Sequence, residues 1–285
     1  MIKKLDKASF SSMLMNMKII KELEDLQGEM QEWRRDIHAH PEIAFEEHRT
    51  AQIVADKLES FGIEVETGIA GTGVVGTLRK GMGNRSIGLR ADLDALLINE
   101  TNDFEYKSKN PGQMHACGHD GHTTMLLGAA KYLSEQGNFD GTVNFIFQPA
   151  EENEGGGRVM IEDGLFDKYP VESVYGMHNI PGMPVGSFAI KPGPIMAAFD
   201  IFNLKVIGRG GHAAMPQTTV DPIIVGTKII DAFQAIISRS IDPQEPSVLS
   251  VTQFHGGDAY NVIPNQVEIK GCTRCFSCLL YTSDA

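Results

Sequence analysis

The chain has 285 residues, of which 42% are hydrophobic, 22% charged and 7% aromatic. This composition is that of an ordinary globular protein, and the length is enough for two domains. The formal net charge of -12 at pH 7 argues against a nucleic-acid partner, because a phosphate-binding surface needs an excess of lysine and arginine. No apolar run approaches the roughly 18 residues of a membrane span, and the N-terminus is too polar for a secretion signal. We therefore expect a cytoplasmic protein without a membrane partner.

Two amphipathic helices are predicted near the N-terminus. Apolar residues at three- and four-residue spacing predict a helix over 17–37 and a second over 47–61, the latter ending at Gly62. The sequence has several methionines near its start, so translation could begin at more than one of them. We expect residues 1–16 to be disordered or to precede the true start.

Strands alternate with helices in the next part of the chain. The predicted elements are strands over 63–66, 73–78 and 86–90, a helix over 119–134, a strand over 142–147, a glycine-rich turn at 155–157 and a strand over 174–177. This alternation predicts an α/β domain with helices on both faces of a sheet.

The pattern changes at the Pro-Gly-Met-Pro segment 181–184. Predicted strands over 185–190 and 199–207 are followed by a helix that opens at Asp221-Pro222 and runs to about Ser240, and then by a strand over 247–254. This order indicates the start of a small α+β sandwich. We therefore place a domain boundary near residue 182, with one domain over 17–182 and a second over 183–274.

The segment Met114–His122 contains one thiol and three imidazoles. Cys117 and His119 cannot share one helical face, but a turn at Gly118 would aim both side chains at one point. Thiolate and imidazole are ligands of transition metals, and a thiolate can bridge two ions. The alternative is a buried, inert cysteine beside histidines at the start of a helix.

Carboxylates and a further histidine follow predicted strands. Glu151 and Glu152 come just after one strand, where one can bind a metal while the other carries a proton; the alternative is two solvated acids. His178 follows another strand and is either a ligand or a core histidine. Asp92 and Asp94 are candidates for orienting ligand imidazoles. Because ligands bind at the carboxyl ends of strands in open α/β sheets, we expect these residues to converge.

A glycine-flanked histidine lies in the second domain. The glycines of the segment 208–214 allow a close backbone approach, so His212 could lean over a ligand. The same pattern also fits an ordinary turn.

Taken together, these motifs resemble those of the metal-dependent amidohydrolases that include hippurate hydrolases, N-acyl-amino-acid amidohydrolases and indole-acetyl-amino-acid hydrolases, within the aminoacylase–carboxypeptidase superfamily. The matching stretches run from Trp33 to Arg274 and include Trp33–Glu42 (WRRDIHAHPE), Arg90–Leu96 (RADLDAL), His115–Asp120 (HACGHD), Gln148–Glu152 (QPAEE), Gly176–Asn179 (GMHN), Gly210–Ala214 (GGHAA) and Asn261–Pro264 (NVIP).

The resemblance implies a fold and a reaction. The fold is an aminopeptidase-like α/β catalytic domain, with a central mixed sheet and helices on both faces, and a ferredoxin-like α+β lid through which the protein forms a homodimer. The reaction is hydrolysis of the amide bond of an N-acyl amino acid, a small-molecule substrate. Its cofactors are two divalent metal ions, manganese or zinc, with cobalt or nickel as further candidates.

The resemblance also implies roles for individual residues. Cys117 bridges the two metal ions, and His119, Glu152 and His178 are further ligands. Glu151 is the catalytic base and acid. His212 reaches the partner's active site to stabilise the tetrahedral oxyanion. The remaining pair, Asn261 and Arg274, holds the substrate carboxylate.

The chain departs from the family pattern at a few places. Leu97 stands where proline is usual and Gln217 where histidine is common, away from the proposed chemistry. Family members continue beyond the end of this chain and supply one more metal-binding histidine, so we expect both domains to be C-terminally truncated and this polypeptide to be inactive or nearly so. Residues 275–285 look like a non-native tail that resembles translated adapter sequence.

Alternatives remain open at this stage. The same site would serve an N-acetyl-diaminopimelate deacetylase or a dipeptidase or carboxypeptidase. A non-catalytic module that binds amino-acid conjugates is a second class. A redox or cluster protein built on the Cys-x-x-Cys-x-x-Cys spacing of Cys272, Cys275 and Cys278 is a third, which the family resemblance disfavours.

Overall fold

The computed structural model of the chain describes residues 20–152 and 154–277. The predictions for residues 1–16, for Cys278 and for the end of the tail lie outside these ranges. The chain divides into two units, Met1–Ser187 and Phe188–Ala285. Within the described ranges, no helix is both long enough and apolar enough to cross a membrane.

The first unit contains five helices and five strands among its described residues. In chain order they are α1 (Lys21–Ala39), α2 (His48–Ser60), β1 (Glu64–Ile69), β2 (Gly73–Lys80), β3 (Ser86–Asp92), α3 (His119–Gln136), β4 (Gly141–Gln148), α4 (Gly156–Glu162), α5 (Leu165–Lys168) and β5 (Val174–Gly176). The helices predicted from periodicity are therefore present, with ends shifted by a few residues. The predicted glycine turn at 155–157 is wrong from Gly156 on, because α4 begins there.

One mixed sheet forms the centre of this unit, with strand order β1-β2-β4-β3-β5. β1, β2 and β4 are antiparallel neighbours, whereas β3 runs parallel to both β4 and β5. The parallel strands β3, β4 and β5 therefore direct their carboxyl ends to the same edge of the sheet. This geometry is what positions the candidate site.

Both faces of the sheet are covered by helices. Successive residues of a strand point to opposite faces, and β4 shows the consequence. Phe145 and Phe147 pack into a cluster with residues of α1, α2 and α3, whereas Ile146 packs into a second cluster with Met160 of α4 and Leu165 of α5. The predicted α/β class, with a mixed sheet between helices, is confirmed.

The second unit is a small α+β assembly. Its elements are β6 (Ala198–Ile207), β7 (Gly211–His212), a short 3-10 turn (Pro216–Thr218), α6 (Pro222–Ala235), a π-helical turn (Ile236–Ser240), β8 (Ser247–His255), β9 (Val262–Ile263) and β10 (Gln266–Cys275). β6, β10 and β8 form an antiparallel sheet, and β7 pairs with β9. The ferredoxin-like lid stays a prediction for this unit.

Two local expectations in the second unit have different outcomes. Asp221 caps α6 as predicted, because its carboxylate accepts a hydrogen bond from the amide of Ile223 at 2.9 Å. The strand predicted over 185–190 is wrong, since the chain turns at Val185–Gly186 and continues without regular structure. Pro184 removes a backbone donor just before this turn, which disfavours strand pairing there.

Candidate metal centre

The candidate ligands lie at the carboxyl edge of the parallel strands, as predicted. Asp92 ends β3, Glu151 and Glu152 follow β4, and His178 follows β5. Asp92 is directly paired with Gln148, the last residue of β4. Residues that are far apart in sequence therefore converge, and the first turn of α3 brings His119 to the same edge.

Gly118 lets Cys117 and His119 point to one place. It precedes α3 with a φ of +99°, a left-handed conformation that favours glycine. A Cβ atom there would lie 2.3 Å from the Asn179 side chain, so the position has no room for a larger residue. Both the turn and the close approach explain why glycine separates the two candidate ligands.

His119 is fully buried and faces three carboxylates. Its Nε2 atom lies 3.7 Å from Asp92 Oδ2, 3.8 Å from Glu151 Oε2 and 3.7 Å from Glu152 Oε1. These distances are too long for hydrogen bonds, and neither His119 Nε2 nor Glu152 Oε1 has a hydrogen-bond partner among the described residues. Buried polar atoms without partners that surround one point fit a metal ion.

Cys117 and His178 complete this arrangement. Cys117 Sγ lies 3.3 Å from His178 Nε2. The other ring nitrogen of His178, Nδ1, lies 2.7 Å from the carbonyl oxygen of Asn179, which can only accept, so Nδ1 carries the hydrogen. The lone pair of Nε2 therefore faces Cys117, as metal binding requires. Ligand atoms of Cys117, His119 and His178 lie within 4.8 Å of one another.

The negative charges of the centre affect the Cys117 thiol. Burial and the nearby carboxylates, Glu152 first among them, raise the pKa of Cys117 to about 12. A thiolate is therefore disfavoured in the protein alone. It requires a compensating positive charge, which a divalent cation supplies.

Glu151 and Glu152 have different surroundings. The side chain of Glu151 is 41% exposed, whereas that of Glu152 is 18% exposed. Burial raises the pKa of Glu151, and the charges of Asp92 and Glu152 act in the same direction, against the opposing effect of His119. A carboxylate with a raised pKa at the open side of the centre is suited to carry a proton.

Asp94 and Asp92 lie on different sides of His119. Asp94 Oδ1 is 3.3 Å from His119 Nδ1, the nitrogen turned away from the other carboxylates, so Asp94 has the position expected of an orienting residue. Asp94 also accepts the amides of Glu151 and Glu152, each at 3.0 Å. Asp92 instead faces Nε2, on the same side as Glu152, and is therefore a further candidate ligand.

His122 is a residue that the sequence reasoning noted but left without a role. Its Nδ1 lies 2.6 Å from Asp92 Oδ1, and its Nε2 contacts Asn179. The hydrogen bond from His122 and the charge of Arg90 lower the pKa of Asp92, although burial acts in the opposite direction. The signal in the sequence is its spacing, since His122 lies one helical turn after His119 on the same face of α3.

The remaining predicted residues lie in the second unit. The pairing of β7 with β9 places His212 opposite Val262, and the amide of Ala213 donates to Asn261 O at 3.0 Å, so His212 and Asn261 are neighbours. His212 is exposed, and its Nδ1 accepts from the amide of Ala214.

Arg274 lies elsewhere in this unit. It is near the end of β10, with its guanidinium 4.0 Å from the centre of the Phe199 ring. From the start of β10 to Arg274 the strand rises about 25 Å. The structure therefore does not bring Arg274 together with Asn261, and a shared contact of the two with one carboxylate stays a prediction.

Comparison with known proteins agrees with the geometry. The model of the peptidase family M20/M25/M40 matches residues 88–276. The chain is 50% identical to a hippurate hydrolase of Campylobacter jejuni over 258 residues, which are 90% of this chain and 67% of the relative. It is 48% identical to an N-acyl-L-amino acid amidohydrolase of Geobacillus stearothermophilus, over 86% of this chain and 66% of that protein. The chain thus spans about two thirds of the length of these relatives.

A solved structure supports the same assignment. A dinuclear metal-binding peptidase of the M20 family from Bacillus subtilis superposes with a TM-score of 0.75 at 35% identity, covering 91% of this chain and 67% of that one. The resemblance predicted from the motifs is confirmed. A mixed sheet whose strand ends gather thiol, imidazole and carboxylate around His119, together with these matches, shows that the chain belongs to the peptidase family M20/M25/M40.

Proposed function

We propose that this protein is a metal-dependent amidohydrolase that cleaves the amide bond of N-acyl amino acids. The observation that carries the proposal is the set of unpartnered, buried ligand atoms around His119, with Cys117, Glu152 and His178 beside it. The names of the relatives, a hippurate hydrolase and an N-acyl-L-amino acid amidohydrolase, indicate the substrate class.

Divalent metal ions fit the donor set. Cys117, His119, Glu152 and His178 would hold them, and Asp92 is a further candidate ligand. Thiolate and imidazole suit zinc, cobalt or nickel, and carboxylates also suit manganese. We propose two ions, manganese or zinc. When bound, they polarise the scissile carbonyl and acidify the attacking water.

Glu151 provides the proton transfers. Its partly exposed carboxylate takes a proton from the attacking water, and the raised pKa of the carboxyl group allows it to hold that proton. It then delivers the proton to the nitrogen of the leaving amino acid, so that the amide bond breaks and the base is regenerated. Asp94 fixes the backbone that carries Glu151 through its two amide hydrogen bonds.

The second unit contributes substrate contacts in this proposal. His212 would donate a hydrogen bond to the tetrahedral oxyanion of a partner subunit's active site. Asn261, beside it, would hold the substrate carboxylate, and Arg274 is a further candidate for that role. These assignments require a homodimer formed by the second unit, which we propose together with a cytoplasmic location.

Substrate profiling of purified, metal-loaded protein tests the proposal. Protein expressed from the longest reading frame that contains this sequence should release the free amino acid from hippurate or N-acetyl amino acids. Glu151→Gln should slow this release by about 10²–10⁴-fold while keeping the metal. Turnover confined to dipeptides or N-acetyl-diaminopimelate would favour the alternative substrates. If the protein binds N-acyl amino acids saturably but forms no product when loaded with any of the candidate metals, hydrolysis is refuted and a binding module is favoured.

A further inference from the structure

Glu47 is a buried carboxylate that the proposed chemistry does not use. It directly precedes α2 and is fully buried. Acidic residues are almost never fully buried unless their oxygens are paired. The partners of Glu47 therefore indicate what it does.

Both carboxylate oxygens of Glu47 accept hydrogen bonds. Oε1 accepts from the backbone amide of Ala150 at 2.8 Å, and Oε2 accepts from the hydroxyl of Thr72 at 2.5 Å. Ala150 directly precedes Glu151, the proposed proton carrier. A residue from the start of α2 is thus bonded to the turn that carries the catalytic carboxylate.

Ala150 has an unusual backbone conformation. Its φ is +51°, in the left-handed region that residues other than glycine rarely adopt. Its side chain is fully buried, and its carbonyl accepts from the amide of Gly156 at 2.9 Å. The bond from its amide to Glu47 completes the backbone pairing of this residue. Without that bond, a buried amide would lack a partner in a conformation that is already disfavoured.

We infer that Glu47 is a positioning residue that holds the Ala150 turn and thereby sets the place of the Glu151 carboxylate. The inference rests on the role proposed for Glu151. What Glu47 supplies is a hydrogen-bond acceptor at a fixed reach, and its negative charge is not required. Burial raises the pKa of Glu47, although the hydrogen bonds from Thr72 and Ala150 act in the opposite direction.

Two substitutions of Glu47 show whether the length of its side chain or its negative charge holds the turn. Glu47→Gln keeps the length, because its amide oxygen can accept from Ala150 while its nitrogen donates to the Thr72 hydroxyl. Glu47→Asp keeps the charge but is one methylene too short to reach both partners. We expect kcat of Glu47→Gln to stay within about threefold of the unchanged protein. Glu47→Asp should lose about 100-fold in kcat, as expected for a displacement near 1 Å, while KM changes less than about threefold.

Glu42 offers a matched control for general damage to the fold. Its carboxylate accepts from the amides of Arg49 and Thr50 at the start of α2, and its side chain has no hydrogen bond to the Ala150 turn among the described residues. Both Glu42→Asp and Glu47→Asp should lower the melting temperature, because each shortens a side chain that holds backbone amides. It should leave kcat within about threefold of the unchanged protein, because positioning of Glu151 is not disturbed.

A measurement without catalysis decides the inference independently. In metal-free protein, hydrogen–deuterium exchange of the segment 148–152 should accelerate in Glu47→Asp and stay unchanged in Glu47→Gln and Glu42→Asp. Unchanged exchange in Glu47→Asp, or equal losses of kcat in the Asp and Gln variants, would overturn the inference. Absence of hydrolysis by the unsubstituted protein, expressed from the longest reading frame that contains this sequence, would instead refute the proposed function, and the exchange data would still decide whether Glu47 holds the turn.

Discussion

Asp94→Asn tests how the structure holds the two adjacent glutamates. Asp94 is nearly fully buried, and each of its oxygens accepts one backbone amide, from Glu151 and from Glu152. Asparagine has only one acceptor oxygen, so one amide would face the donor nitrogen of the carboxamide. A buried donor without a partner costs about 1–3 kcal/mol, and loss of the charge weakens the remaining bond by about 1 kcal/mol. We expect the free energy of unfolding to fall by about 2–4 kcal/mol.

Asp140→Asn is the matched control for this substitution. Asp140 also accepts two consecutive backbone amides, those of Met82 and Gly83, but both bond to the single oxygen Oδ1 and the side chain is exposed. An asparagine there can keep both bonds. The loss in the free energy of unfolding should therefore stay below about 1 kcal/mol.

Urea unfolding of the metal-free protein measures both effects. Trp33 is the single tryptophan of the chain and lies in the core of the first unit, so its fluorescence reports on the unit that contains Asp94. The slope of the free energy against urea should be equal in all variants. A loss within about 0.5 kcal/mol for Asp94→Asn, the range of ordinary surface substitutions, would refute the assigned role.

Three further predictions follow from the same geometry. Glu151→Gln should lower kcat by about 10²–10⁴-fold at unchanged metal content, measured by hippurate turnover and metal analysis; retained turnover would exclude Glu151 as the base. Cys117→Ser should lower the metal bound per chain, measured by mass spectrometry after dialysis, and equal occupancy would contradict a ligand role. His38, whose pKa the Asp120 hydrogen bond raises above 6.5, stabilises the fold fully below that pH and less as pH rises through the raised value. The stability difference between the unchanged protein and His38→Gln should therefore shrink as pH rises above 6.5, and a constant difference in urea unfolding would exclude this linkage.

The strand ends were predictable from sequence because the signals are local. Each apolar run that leads into Asp92, Glu151 or His178 is a strand, and parallel strands necessarily direct these residues to one edge. The same reasoning failed for residues 185–190, where an apolar segment looked like a strand. Local hydrophobicity alone does not supply pairing partners, and Pro184 and the turn at Val185–Gly186 prevent the ladder.

Residues that act through long-range hydrogen bonds could not be assigned from sequence. The sequence around Glu47 predicts only the start of a helix. Nothing in it indicates that the Glu47 carboxylate accepts a hydrogen bond from the amide of Ala150. The left-handed conformation of Ala150 is equally hidden, because alanine gives no signal for a positive φ. His122 is different, since its helical spacing from His119 was visible and only its contact with Asp92 was not.

The carboxylates of the centre separate into two groups by what they accept. Glu47 and Asp94 use both oxygens to accept hydrogen bonds, three of them from the backbone of residues 150–152, so neither carboxylate is free to bind an ion. Glu151 and Glu152 are held by that turn through their backbone and direct their side chains toward His119. Burial is the main cause of the raised pKa values of Cys117 and Glu151, and the neighbouring carboxylates act in the same direction. The fold therefore gathers like charges that a divalent cation would relieve, and Glu47 and Asp94, which would not touch the cation, hold the backbone that carries them.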